Sequence, residues 1–251
     1  MILYPIKTPL IEPGHDLVEI LMSVLTREKL DIEDGDVLVI AESVVATAQG
    51  RLQRLDQISP SNAAMGMAEI YKMDPAVVEV ILQEADEICG GMEKILLTVK
   101  DGWFTVNAGV DVSNAPEGHV VLLPVHPFRE AERIRRSIKK RTGKRVGTII
   151  ADSRTIPLKK GVIGVALATA GMEAVEDLRG KKDIFGRRLQ MTFRAIADDL
   201  ASAAQLLMGE ADEQVPMVLI RGAPIKLTEK PSQKMDLSPE ECIYMSTFRY
   251  R

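Results

Sequence analysis

At 251 residues the chain is long enough to bury a substantial core, in one large domain or two joined ones, and 46% hydrophobic against 27% charged residues is the balance of a globular protein. Aromatic residues are only 4%, so the core must rest on Val, Ile, Leu, Ala and Met. The 32 basic and 36 acidic side chains leave a net charge of −4, which argues against a dedicated nucleic-acid binder. No apolar run approaches the ~20 residues a membrane helix needs. The opening MILYPIKTPLIEPGHD meets Pro, Lys and His too early for a signal peptide. Cys89 and Cys242 stand far apart with no CxxC or Cys/His spacing, so buried thiols in a cytoplasmic protein are expected.

Ile2 to Ile6 reads as a short strand. Asp16 then reads as the cap of a helix with Leu17, Ile20, Leu21, Val24 and Leu25 on one face. After the turn Glu33-Asp34-Gly35-Asp36, the run Val37 to Ala41 is apolar at every position, as in a central strand buried on both faces. Ser59 to Lys72 predicts a helix, and Asp74-Pro75 starts another. Asp101-Gly102 between Lys94–Lys100 and Trp103–Val106 is a hairpin signal, and His119 to Leu123 predicts a strand.

Glu130 to Thr142 predicts an amphipathic helix closed by Gly143, whose basic run RIRRSIKKRTGKR is read as a solvated face rather than an anion site. Val146 to Ala151 predicts a second buried strand, Gly161 to Ala170 another, Thr192 to Met208 an Ala-rich helix, and Val215 to Ile220 a last strand. The fold class is α/β with some α+β character: a mixed sheet with flanking helices. Residues 1–222 form the main body of two joined parts, and 223–251, with Pro224, Pro231 and Pro239, an irregular C-terminal extension.

Four segments carry candidate chemistry. Asn107-Ala108-Gly109-Val110-Asp111-Val112-Ser113-Asn114 is a small-residue turn in which Asp111 offers a carboxylate to a hard cation and Asn114 a donor to a base or phosphate; loops use the same residues for local hydrogen bonds. Asp152-Ser153 is expected at the carboxyl end of a buried strand, where ligand sites of open α/β sheets gather, and a carboxylate beside a hydroxyl is a typical Mg²⁺ pair. Leu207-Met208-Gly209-Glu210 ends a helix and delivers Glu210 to a loop. The charged turn Gly180 to Arg187 is either a phosphate contact or an exposed loop. There is no Walker A motif and no GxGxxG after a strand. His15, His119 and His126 lack the spacing of a zinc site or a catalytic triad.

The order and wording of VNAGVDVSNAPEG, KRVGTIIADS, KKGVIGVALATAGM, RGKKDIFGRRL and IADDLASAAQLLMGE, with TPLIEPGHDL, DGDVLVIAESVVATAQGR and MDPAVVEVILQEADEI before them, resembles the coenzyme F420 gamma-glutamyl ligases from about Pro5 to Gly222. The resemblance implies a dimeric, two-part α/β enzyme. It implies that GTP and Mg²⁺ or Mn²⁺ activate the terminal carboxylate of a deazaflavin precursor as an acyl phosphate, which the amine of L-glutamate attacks. By position it assigns Asp111, Asp152, Ser153 and Glu210 to metal, with Asp111 and Asp152 at the centre of catalysis. To the nucleotide it assigns Thr8, Pro9, Leu10, Ile11, Glu42, Ser43, Thr47, Asn114, Leu207, Met208, Gly209 and Glu210. Two departures stand out: Ala46-Thr47 replaces the family's Ser-Lys, and Thr155-Ile156 its Gly-Arg, with Arg154, Lys159 and Lys160 nearby to restore positive charge. These departures also admit a related ligase with another acid or amine, or a nucleotide-binding protein without turnover.

Overall fold

The computed structural model describes residues 1–232 and 235–248, and the chain divides into two compact units. Unit 1 takes Met1–Leu52 and Val121–Gln233, and unit 2 takes Gln53–Val120 and Lys234–Arg251. Unit 1 opens with β1 (Ile2–Ile6), α1 (Leu17–Glu28), β2 (Val37–Ala41) and α2 (Glu42–Ala48), and β3 (Leu52–Arg54) carries the chain into unit 2. There follow α3 (Asn62–Tyr71), α4 (Pro75–Glu84), β4 (Glu87–Met92), β5 (Ile95–Lys100) and β6 (Trp103–Val106), and β7 (His119–Val121) returns the chain to unit 1. Unit 1 then adds α5 (Pro127–Thr142), β8 (Gly147–Thr155), β9 (Val162–Ala170), the short ribbon β10 (Glu176–Asp177) and β11 (Phe193–Arg194), α6 (Ile196–Met208) and β12 (Met217–Arg221). Helix α7 (Ile243–Phe248) belongs to unit 2.

Unit 1 is a five-stranded sheet in the order β1-β12-β2-β8-β9. β2 and β8 run parallel, while β12 and β9 run against their neighbours, so β1, β2 and β8 all point the same way in a mixed sheet. The two apolar runs, β2 and the first half of β8, lie at the centre because both of their faces find cover. Leu38, Ile40, Ile150, Leu219 and Met217 enter one core with Leu17, Leu21 and Leu25 of α1 and Ile134 and Ile138 of α5. On the opposite face α6 lies across β9, β8, β2 and β12 and buries Ala197, Leu200, Ala201 and Ala204. Asp16 caps α1 as expected, accepting from the Val18 N–H at 2.9 Å and the Glu19 N–H at 3.3 Å.

Several boundaries differ from those read in the sequence, each for a local reason. α3 starts only at Asn62, because Pro60 holds the chain extended and Ser61 provides the cap. α5 starts a turn early, with Pro127 supplying the preset φ of a first helical residue. β7 stops at Val121, and Phe193–Arg194, read as helix, instead pairs with β10. β12 begins after Pro216, which has no N–H to give a ladder. β8 does not stop at Ala151 but continues to Thr155, held by β9 alone. The cysteines are free as read, yet Cys89 is exposed and Cys242 half-buried rather than core thiols. Among the described residues no helix is long and apolar enough to cross a membrane.

The basic run of α5 is largely ion-paired. Arg133 meets Glu130, Arg135 and Arg136 share Glu132, and Lys139 reaches Glu229. Arg135, buried despite its charge, also binds Glu229 at 3.0 Å. That residue belongs to a strap after Gly222, which is tied on by the Thr228 N–H to the Gly171 carbonyl and by the Ser232 hydroxyl to the Thr169 carbonyl.

Unit 2 sets α3 and α4 with an antiparallel sheet in the order β4-β5-β6. The Asp101-Gly102 hairpin forms as read, with both residues at positive φ.

Candidate functional site

The strand directions of unit 1 gather most of the nominated residues along one edge of its sheet. β1, β2 and β8 all run toward that edge, so Lys7-Thr8-Pro9, Glu42-Ser43 and Asp152-Ser153 follow one another across it. The loop from α6 into β12 returns there too. The Thr8 N–H donates to the Gln214 carbonyl at 3.2 Å and the Ala41 N–H to the Pro216 carbonyl at 2.9 Å, which places that loop between β1 and β2. From β1 to β8 is three strand spacings, roughly 14 Å at about 4.8 Å each. Thr8 is buried, Pro9 and Leu10 are exposed, and Ile11 packs on the core. A groove of ≈ 690 Å³ leads from Lys7, Thr8 and Pro9 along α1, past Asp16, Ile20 and Arg27, and is not lined by Glu42, Ser43, Asp152, Ser153 or Glu210.

Asp152 and Ser153 are not the side-by-side pair that the sequence suggests. β2 pairs with β8 only as far as Ala151, and the next four residues pair with β9 alone. Side chains alternate across a strand, so Asp152 and Arg154 project to one face and Ser153 and Thr155 to the other. The burial pattern agrees: 152 and 154 are half-buried, 153 and 155 exposed. On its face Asp152 accepts from Arg154 Nε at 2.9 Å, both side chains being little exposed. Arg154 is thus already engaged with a carboxylate, while Lys159 and Lys160 stand exposed in the turn toward β9.

On the other face the Ser153 hydroxyl donates to Glu210 Oε1 at 2.8 Å. Gln205, in the last turns of α6, donates its amide to Ser153 Oγ at 3.1 Å and also to Glu210 Oε1. Leu207 and Met208 end α6, and Gly209 turns the chain at φ 73° and ψ −171°. Only the end of the flexible Glu213 side chain stands over Gly209 and can give way, so the turn favours glycine on backbone grounds.

Gln205 was not among the residues nominated from sequence, nor were its companions Asp198 and Ser202. The signal was present: 198, 202 and 205 recur at the spacing of one helix face in an otherwise Ala-rich segment. β9 carries an extra residue, Leu167, opposite the Ile150–Ala151 step of β8. There the Ala166 N–H donates to Asp198 Oδ1 at 2.8 Å, and one turn later the Ser202 hydroxyl donates to the Gly164 carbonyl at 2.7 Å. Burial holds the Asp198 carboxyl above its ordinary range, offset in part by the Ala166 N–H.

Thr47 sits half-buried near the end of α2, and the preceding Ala46 is fully buried. Glu42 and Ser43 open that helix, half-buried. Asp111 and Asn114 belong to unit 2. The turn before them is fixed from within: Asn107 Oδ1 accepts from the Leu96 N–H at 2.8 Å, and the Ala108 N–H donates to Thr98 Oγ1 at 2.9 Å. Asp111 is exposed and accepts from both the N–H and the hydroxyl of Ser113, and Asn114 is exposed at φ 52°. The charged turn at 180–187 closes on itself, with Asp183 accepting from the N–H groups of Phe185 and Arg187, and it is largely exposed. Among the described residues no three His, Cys, Asp or Glu side chains cluster as a ready metal cage.

Comparison with known proteins bears on what this edge does. Residues 5–222 match the family described as F420-0:gamma-glutamyl ligase. A protein of Methanopyrus kandleri named coenzyme F420:L-glutamate ligase is 46% identical over 213 residues, covering 84% of this chain and 82% of the relative. Proteins of the same name from Methanocaldococcus jannaschii and Methanothermobacter thermautotrophicus are 44% and 41% identical, each covering 86% of the relative and 85% and 86% of this chain. The chain belongs to the F420-0:gamma-glutamyl ligase family, and the protein is a ligase.

Proposed function

We propose that this protein joins the amine of L-glutamate in an amide bond to the terminal carboxylate of F420-0, using GTP and a divalent cation. The observation that carries the reading is the single sheet edge of unit 1, where Thr8, Glu42, Ser43, Asp152, Ser153 and Glu210 gather at the ends of three parallel-running strands. Family membership supplies the reaction class and the names of the relatives the acid and the amine.

The donor set suits a hard cation, since carboxylate and hydroxyl oxygens are the ligands Mg²⁺ and Mn²⁺ take. Because Asp152 and Ser153 face opposite ways, Asp152 serves one cation position, and Ser153 with Glu210 a second. When bound, the cations neutralise phosphate charge. The acceptor carboxylate forms an O–P bond to the γ-phosphorus as the bond to the GDP oxygen breaks. The glutamate amine gives up a proton and attacks the acyl carbon, and inorganic phosphate leaves with the electron pair. The protein's own work is positioning: the edge holds the triphosphate, and the exposed Lys159 and Lys160 of the β8–β9 turn offer positive charge.

The test is phosphate release from GTP with the purified protein, F420-0, L-glutamate and Mn²⁺. Release that requires both the acid and the amine supports the proposal, and release indifferent to either contradicts it. The exchange of the family's two cations at 47 and 156 for Thr47 and Ile156 favours one second reading, a ligase of the same chemistry acting on another acid or amine. In that case nucleotide binds, but F420-0 elicits no phosphate release.

A further inference from the structure

We infer that Gln205 is a positioning residue of this ligase: its side-chain amide holds the Ser153 hydroxyl and the Glu210 carboxylate together as one prearranged pair of oxygen ligands. This rests on the reading of Ser153 and Glu210 as metal-facing groups and extends it to a residue with no part in that reading.

Three groups meet on the α6 face of β8. A primary amide has two N–H bonds, and those of Gln205 go to Ser153 Oγ at 3.1 Å and to Glu210 Oε1. The Ser153 hydroxyl closes the ring by donating to the same Glu210 oxygen at 2.8 Å. With the amide donating to its oxygen, the hydroxyl keeps its own proton turned toward the carboxylate. Glu210 is otherwise exposed, two residues past the end of α6, and its unfixed side chain would sample many rotamers.

The platform under Gln205 is rigid. Asp198 and Ser202, two turns and one turn earlier on the same face, bind the Ala166 N–H and the Gly164 carbonyl of β9. At Gly164 the backbones approach so closely that a Cβ there would lie 2.4 Å from the Ala201 carbonyl oxygen. α6 is therefore locked to the strand paired with Ser153, since Ser153 and Gly164 are register partners. The lock fixes where the Gln205 amide stands relative to Ser153, and the Asp198 bond and the close Gly164–Ala201 approach maintain it without the Ser202 hydroxyl. Groups that orient metal ligands without touching the metal commonly change metal affinity 10–100-fold when removed.

The experiment compares the full-length wild-type protein with Gln205→Leu, which keeps the bulk and loses both donors, and with Ser202→Ala, which loosens the α6–β9 contact without touching Ser153 or Glu210. Mn²⁺ binding is measured by electron paramagnetic resonance, and hydrogen exchange of residues 209–214 is measured in the metal-free protein, with Tm recorded for each. The expected result for Gln205→Leu is Mn²⁺ affinity weakened about tenfold or more, with faster exchange at 209–214 and a Tm close to wild type. Ser202→Ala lowers Tm while leaving Mn²⁺ affinity near wild type. Unchanged Mn²⁺ affinity in Gln205→Leu overturns the inference, as does equal weakening in both variants, which would show a merely structural role. If the wild-type protein binds no Mn²⁺, the metal reading fails by itself, and exchange then decides: unchanged exchange at 209–214 in Gln205→Leu overturns the positioning role too.

Discussion

Replacing Asp152 by asparagine keeps the size of the side chain and removes the charge that Arg154 pairs with on the inner face of β8. On the proposed mechanism this lowers glutamate-dependent phosphate release at least about 100-fold, the scale on which a single group aimed at developing charge counts. Tm should move little, because Asn still accepts a hydrogen bond from Arg154. Wild-type turnover in Asp152→Asn would remove Asp152 from the chemistry. Gly209→Ala tests the neighbouring loop: its backbone conformation is nearly closed to L side chains, so a loss of about 1–3 kcal/mol in unfolding free energy is expected by denaturant titration. Of the residues at this edge, Asp152, Ser153 and Glu210 were legible in the sequence because carboxylates and hydroxyls beside Gly or a strand end are conspicuous. Gln205 was not, since a glutamine in an Ala-rich helix looks like ordinary solvated surface until the fold shows what it faces.

At the level of elements, the bulge in β9 and the helix that pins it give a paired prediction. Asp198→Ala leaves the buried Ala166 N–H without its acceptor and should cost about 1–3 kcal/mol. Asp198→Asn keeps the acceptor and sheds the burdened charge of a carboxyl held above its ordinary range, so it should cost much less. Equal losses in chemical denaturation would show that the hydrogen bond is not what matters. The strap after Gly222 has its own signature in pH. Hydrogen bonds from Arg135 and then Lys139 pull the Glu229 carboxyl from its ordinary 4.5 to about 2. A depressed carboxylate stabilises the fold above its unfolded pKa and loses that contribution as pH falls through the folded one. Glu229→Gln should therefore have a lower Tm than wild type at neutral pH, and the gap should narrow between about 4.5 and about 2. A gap that stays constant over that range would contradict the ion-pair account. Element interiors were readable because apolar runs and helical periods are set by burial. Ends were less so, since β8's last four residues depend on β9 as a partner, and nothing in ADSRT announces one.

For the whole molecule, what the sequence could convey was the central pair of strands, β2 and β8, apolar on both faces and hence covered on both. It could not convey that β1, β2 and β8 end along one edge, because relative strand direction follows from pairings across more than a hundred residues. The resemblance implies a homodimer, and the small residues at 195–204 would suit close packing at its interface. They are buried against unit 1's own sheet at Ala197, Ala201 and Ala204, so they lend the dimer no support. The proposal rests on the resemblance alone, and light scattering at micromolar concentration tests it, with twice the 27.6 kDa of one chain expected. The central claim is the reaction itself. Purified protein incubated with GTP, Mn²⁺, L-glutamate and F420-0 should yield, by mass spectrometry, a product heavier by one glutamyl residue, absent when GTP or the protein is withheld. Unchanged F420-0 from a protein that demonstrably binds nucleotide and metal would contradict the account.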